Sequence, residues 1–117
     1  MKPKSVAIIG AGMAGLSVAK MLKDAGFQIR LFDKGRSPGG RVSTRRVEVE
    51  KPGAGNAQVL FDHGAQFIRT RTASLTQWLE AEAQGGAARP WTMGGEHRDA
   101  PLFIGAPGMS ALPKRLA

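Results

Sequence analysis

Two periods of apolar and polar residues alternate along the chain, and the switches between them mark its elements. Ser5–Ile9 (SVAII) is a short apolar run, which predicts a buried strand of the parallel type, apolar on both faces. From Met13 to Ala25 the period lengthens to that of a helix. Ala14, Val18, Met21, Leu22 and Ala25 fall on one face, Lys20, Lys23 and Asp24 on the other, and Gly26 supplies the stop. Phe27–Asp33 returns to an apolar run, so the first third of the chain reads as a β-α-β unit with a right-handed crossover. Lys34–Gly40 is a polar loop. Arg45–Glu50 then alternates, Val47 and Val49 against Arg46, Glu48 and Glu50, as a half-buried strand does. Val42 has the opposite parity, which extends the loop to Thr44. Pro52–Asn56 predicts a turn and Gln58–Asp62 a returning hairpin strand. Ser74 with Gln77 reads as the capping box of a helix that runs to Gln84, buries Leu75, Trp78 and Leu79, and ends at Gly85-Gly86. Ala87–Asp99 is weakly patterned, with one short strand near Trp91. Leu102–Gly105 is a further apolar run, and Ser110 caps a last helix over Ala111–Leu116 with Pro113 in its first turn. No internal repeat is visible.

The junction between the first strand and the first helix carries the chemistry. Gly10-Ala11-Gly12-Met13-Ala14-Gly15 has the GxGxxG spacing of a dinucleotide loop. Gly10 makes the tight turn, Gly12 lets a pyrophosphate approach the backbone, and Gly15 lets the helix pack closely on the strand. The helix N-terminus then offers its free N–H groups and positive dipole end to the phosphates. Asp33 lies 18 residues past Gly15, at the end of the second strand, where a carboxylate accepts the ribose hydroxyls, with Lys34 beside it. The fold class is therefore α/β: a Rossmann-like β-α-β unit with a following β-hairpin and helix, and a sheet short of strands.

Composition narrows the function classes. The chain has 117 residues, a net charge of +8 from 17 basic and 9 acidic residues, and no cysteine. Lack of cysteine removes disulfides and thiolate metal sites and points to a reducing, cytoplasmic setting. The arginines are scattered and aromatics make up only 6%, so stacking platforms for nucleic acid are poorly supplied and no nucleic-acid partner is expected. No segment reaches the length of a membrane span, and Gly10, Gly12 and Gly15 break the N-terminal apolar stretch, so neither a membrane partner nor a signal peptide is expected. His63 and His97 form no metal signature.

Further motifs suggest a family. Asp33 followed by SPGGRVSTRR, residues 37–46, resembles the FAD-binding N-terminus of the flavin amine oxidase superfamily. FDHGAQFI, residues 61–68, and PLFIGAPGMSALPKRLA, residues 101–117, look like its renalase branch. Residues 51–56 and 85–99 match nothing diagnostic. The resemblance implies non-covalent FAD, hydride transfer from a small-molecule substrate to the flavin, and reoxidation by dioxygen with release of hydrogen peroxide. In renalases that substrate is a dihydronicotinamide nucleotide. By matched position, Gly40 and Arg41 close over the phosphates, and Gly64, Ala65 and Gln66 come up beside the flavin ring. The resemblance also implies that residues 1–117 are the N-terminal part of an FAD/NAD(P)-binding Rossmann-like domain, with the substrate domain absent from this chain.

Several readings stay open at this level. No catalytic acid or base is assigned. His63 reads as a hydrogen-bonded structural residue rather than a base, Arg69 and Arg71 as a solvated strand edge, and Trp78 and Trp91 as core. A non-catalytic module for FAD, NAD(P) or ADP, or an inactive truncated product, is the alternative to an oxidoreductase portion. A sheet with so few strands exposes apolar surface, so that the chain is a fragment, covers that surface by self-association, or folds poorly alone.

Overall fold

A computed structural model describes residues 2, 4–92 and 100–117. The order of elements is β1 (Ser5–Ile9), α1 (Met13–Asp24), β2 (Gln28–Phe32), β3 (Thr44–Lys51), β4 (Gly55–Asp62), β5 (Ile68–Arg69), α2 (Ala73–Gln84), β6 (Ala88–Pro90), β7 (Leu102–Gly105) and α3 (Ala111–Leu116). The architecture is mixed α/β with small, incomplete sheets. β1 and β2 pair in parallel, β3 and β4 form an antiparallel hairpin, and β5-β7-β6 is a small antiparallel sheet.

In the β-α-β unit, β1 departs from the sequence reading. It is not buried on both faces: its residues alternate, with Val6 and Ile8 half-buried toward α1 and Ser5, Ala7 and Ile9 exposed. A two-stranded sheet with one covering helix has only one covered face, so apolar content alone does not bury a strand. The buried stripe of α1 also differs. Leu16 is buried and Gly15, Ala19 and Leu22 are half-buried, whereas Ala14 and Ala25 are exposed, Val18 is 47% exposed and Met21 71%. Gly15 sets that rotation. A Cβ there would run into the Gly10 carbonyl oxygen, so this is where the helix touches the strand and its neighbours at i+4 and i+7 turn inward.

The β3–β4 hairpin begins at Thr44, as the parity of Val42 requires, and Val47 pairs with Val59 on its half-buried side. The turn is shorter than the sequence suggests, because Gly53 and Gly55 take positive φ and Asn56 already pairs with Glu50.

The core lies in the C-terminal half, where Leu79, Ala88, Phe103, Met109 and Leu112 pack together with Leu75 and Trp78 partly buried against them. α2 is not opened by a capping box at Ser74. Its N-cap is Thr72, in extended conformation, whose hydroxyl accepts from Leu75 N–H at 3.4 Å, and Ser74 lies inside the first turn. Gly85 ends the helix as expected. The short strand expected near Trp91 is β6, which stops at Pro90, while Trp91 N–H still donates to Leu102. β7 and α3 have the expected bounds, although the Ser110 hydroxyl makes no capping bond. β5 escaped the pattern because two residues carry no period. His97 lies outside the described residues.

Two ties join the halves: Pro113 of α3 packs at Gly39, and Asp62 and Thr44 bind the backbone at Met109 and Ser110. Within the C-terminal half, Arg115 of α3 pairs with Glu82 of α2 at 2.6 Å.

Candidate dinucleotide site

Gly10 turns the chain out of β1 with φ +104°, and its N–H still completes the ladder to Phe32 O at 2.7 Å. Only glycine takes that conformation without strain. Gly12, with an ordinary φ of −75°, caps α1 without any side-chain hydrogen bond, and no acidic residue lies in the first turn. The first N–H groups of α1 therefore remain available to an anion, and a Cβ on Gly12 would meet nothing within 4 Å. That open space over the backbone is what a pyrophosphate requires.

Asp33 joins the loop to the end of β2. Its Oδ2 accepts from Ala11 N–H and its Oδ1 from Gly35 N–H, both at 2.6 Å. The Ala11 amide, then the Gly35 amide, hold the carboxyl below the usual carboxylate range, and the Lys34 charge acts in the same direction. Asp33 is exposed and keeps free lone pairs on both oxygens, so it can accept further hydroxyls while fixing the phosphate loop. A cleft of about 600 Å³ opens beside it between α1 and the outer side of β2, with Leu16, Ala19, Ile29 and Leu31 as apolar wall and Arg36 near the rim.

The Gly39-Gly40 pair lies over the same loop. Gly39 N–H donates to Ala11 O at 2.8 Å, Gly39 bridges to Gly12, and both glycines have positive φ. Ala65 N–H donates to Arg41 O at 2.9 Å, and a Cβ on Gly64 would strike that same carbonyl. The structure thus brings Gly10, Ala11, Gly12, Met13, Ala14 and Gly15 together with Asp33 and Gly40. Arg41 links them to Gly64 and Ala65, and its side chain, like those of Lys34 and Gln66, is exposed. Gly64 serves close approach to Arg41, a packing role that its sequence context does not reveal. His63 is exposed, with Nδ1 at 3.5 Å from Ser43 Oγ. Phe67 and Trp91 form a tilted pair at 5.2 Å. Gly39, the first of the two consecutive glycines before Arg41, makes the backbone contact to the phosphate loop.

A parallel β-α-β unit with an open glycine cradle, a free helix N-terminus and an acid tied to the loop defines a dinucleotide-binding Rossmann-like domain. Comparison with known families agrees over more than half of the sequence: the chain belongs to the NAD(P)-binding Rossmann-like domain family, matched over residues 8–81. Among curated proteins it is similar to L-amino acid oxidase of Bothrops pictus, 50% identical over 48 residues, which is 41% of this chain and 10% of the oxidase. L-amino-acid oxidase of Pseudechis australis is 52% identical over 48 residues, 41% of this chain and 9% of that protein. Protein FLOWERING LOCUS D of Arabidopsis thaliana is 42% identical over 50 residues, 43% of this chain and 6% of that protein. The matched stretch thus spans a tenth or less of these relatives. Among the described residues no helix is long and apolar enough to cross a membrane.

Proposed function

We propose that residues 1–117 are the FAD-binding portion of a flavin-dependent oxidoreductase of the amine oxidase type, working in the cytoplasm. The observation that carries this reading is the double closure of the phosphate loop: Ala11 N–H is held by Asp33, and Ala11 O accepts from Gly39 of the GGR segment. Similarity to L-amino-acid oxidases supports a flavin rather than a nicotinamide cofactor.

The residues fit the group. Gly10–Gly15 and the first turn of α1 would receive the pyrophosphate, Asp33 the adenosine ribose, and the cleft beside it the adenine. Gly40 and Arg41 would cover the phosphates, with the Arg41 guanidinium in reach of an anionic oxygen. Gly64, Ala65 and Gln66 would stand on the flavin side. When bound, FAD supplies hydride acceptance from a small molecule and reoxidation by dioxygen. The renalase-like motifs make a dihydronicotinamide nucleotide the preferred substrate class. A nucleotide-binding module without turnover is the second reading. It is favoured by the matched family, whose description is of NAD(P) binding and of no reaction.

FAD titration followed by flavin fluorescence tests both. Saturable binding is expected, weakened about 10- to 100-fold in Asp33→Ala, which loses a charged acceptor. Affinity should persist down through the ordinary carboxylate titration range and fail only on the acid side of it, since Asp33 stays ionised until its depressed pKa is crossed. ADP binding as tightly as FAD would support the module reading. No saturable binding in a folded sample would refute both.

A further inference from the structure

Pro113 is fully buried in the first turn of α3. A proline there breaks nothing, because the first amides of a helix have no intrahelical partner. It does not favour the helix either, since alanine is the better helix former. Its contact lies elsewhere. A Cβ built on Gly39 would stand 3.1 Å from Pro113 Cγ and 3.6 Å from its Cβ, so the ring occupies the side of Gly39 that a side chain would take. Gly39 in turn donates its N–H to Ala11 O at 2.8 Å and bridges to Gly12, and a Cβ on Gly40 would come within 3.4 Å of Gly12 Cα. A buried ring thus reaches the phosphate loop through one glycine.

We propose that Pro113 is a positioning residue of the dinucleotide site. From the core it braces Gly39, and through Gly39 it fixes the gap between the GGR segment and the glycine loop that receives the pyrophosphate. The brace is itself anchored. Met109 and Leu112, both fully buried, hold the start of α3 in the C-terminal core, and a proline ring brings almost no side-chain freedom of its own. A second close approach supports it, since a Cβ on Gly108 would stand 2.7 Å from the Thr44 side chain. The segment from Gly108 to Pro113 therefore lies against the segment from Gly39 to Thr44 at both ends.

Two adjacent glycines need such a support. Gly39 at φ +131° and Gly40 at φ +57° have many other conformations open to them, and one backbone bond to Ala11 O is a weak restraint by itself. With the ring in place the gap is set before a ligand arrives, and binding pays no ordering cost there. The effect on a ligand rests on the nucleotide reading, whereas the brace itself does not.

Backbone amide exchange of the full chain, followed by NMR without cofactor, tests the brace. Gly39 N–H, bound to Ala11 O, is compared with Gly10 N–H, bound to Phe32 O. In Pro113→Ala, which keeps a helix former and removes the ring, Gly39 should exchange about 10-fold faster relative to Gly10, the mark of local opening. Leu79→Ala truncates the same core from α2 and controls for lost stability, so the ratio of the two rates should stay at the wild-type value. With FAD and ADP as probes, Pro113→Ala should weaken both about 10-fold, because the two ligands share the pyrophosphate. Leu79→Ala, below its melting temperature, should weaken neither. A Gly39 rate that rises only in step with Gly10 in Pro113→Ala overturns the brace. A loss for FAD alone, or an equal loss of affinity in Leu79→Ala, overturns its action on the pyrophosphate. A chain that binds neither ligand, yet loses Gly39 protection in Pro113→Ala, refutes the nucleotide reading and leaves the brace standing.

Discussion

Gly15→Val is expected to lose both thermal stability and FAD affinity, whereas Gly12→Val loses affinity alone. The two glycines belong to one motif but face different surroundings. A Cβ on Gly15 would run into the Gly10 carbonyl and stand 3.5 Å from Ile8 Cγ2, so α1 must back away from β1. Leu16 is the one fully buried residue of that helix, which leaves little other packing to absorb the shift. Overpacking of this kind costs about 1–3 kcal/mol, and in a domain of this size each kcal/mol moves Tm by about 4 °C. Gly12 has an ordinary φ, and its Cβ would meet nothing within 4 Å. Its replacement costs no more than a cap preference of about 0.5 kcal/mol, but it fills the space over the first N–H groups of α1. FAD affinity should fall at least about 100-fold in both variants, since the phosphates supply most of the charge-assisted bonds. Thermal melts beside fluorescence titrations separate the two effects. Equal Tm losses would contradict this division of labour between the glycines.

What the sequence made legible was whatever one short window determines. GxGxxG and an acid 18 residues on each follow from a short window, so the β-α-β unit and its glycine turn could be anticipated, whereas the bond from the Ala11 amide to Asp33, 22 residues apart, could not. Alternation fixed the parity of the hairpin for the same reason. What failed depends on partners distant in sequence. The rotation of α1 follows from Gly15 meeting Gly10, which overrides the apolar stripe through Val18 and Met21. Exposure of β1 follows from a strand count that a run of apolar residues does not report. The cap of α2 passed to Thr72 because its extended backbone aims the hydroxyl at Leu75 N–H, while Ser74 has already entered the helix. Gly64 and Gly39 show the same limit, since what each touches, Arg41 and Pro113, is set by the tertiary fold.

Asp62→Ala is expected to lower the unfolding free energy by about 3 kcal/mol, a fifth or more of the total for a domain of this kind. Asp62 ends β4 opposite Thr44, at the open end of the hairpin. Its Oδ1 accepts from Thr44 Oγ1 at 2.6 Å and from Met109 N–H at 2.9 Å, and Thr44 Oγ1 accepts in turn from Ser110 N–H at 3.0 Å. A hydroxyl that must accept from an amide has its own proton free for the carboxylate, so this relay runs in one direction. Without the carboxylate, the amide of Met109, a fully buried residue, loses its acceptor and Thr44 loses its orientation. Each loss carries a desolvation cost of about 1–3 kcal/mol. Asp62→Asn, which keeps the acceptor oxygen and drops the charge, should lose only about 1 kcal/mol. Urea unfolding of the three proteins measures the series. The relay also bears on the site, because His63-Gly64-Ala65-Gln66 follows directly and Ala65 holds Arg41. Asp62→Ala below its melting point should therefore keep most of its FAD affinity, which the glycine loop and Asp33 provide, while bound flavin shows lower fluorescence anisotropy. An unchanged unfolding midpoint would mean that the C-terminal segment is held by its apolar packing at Met109 and Leu112 and not by the carboxylate.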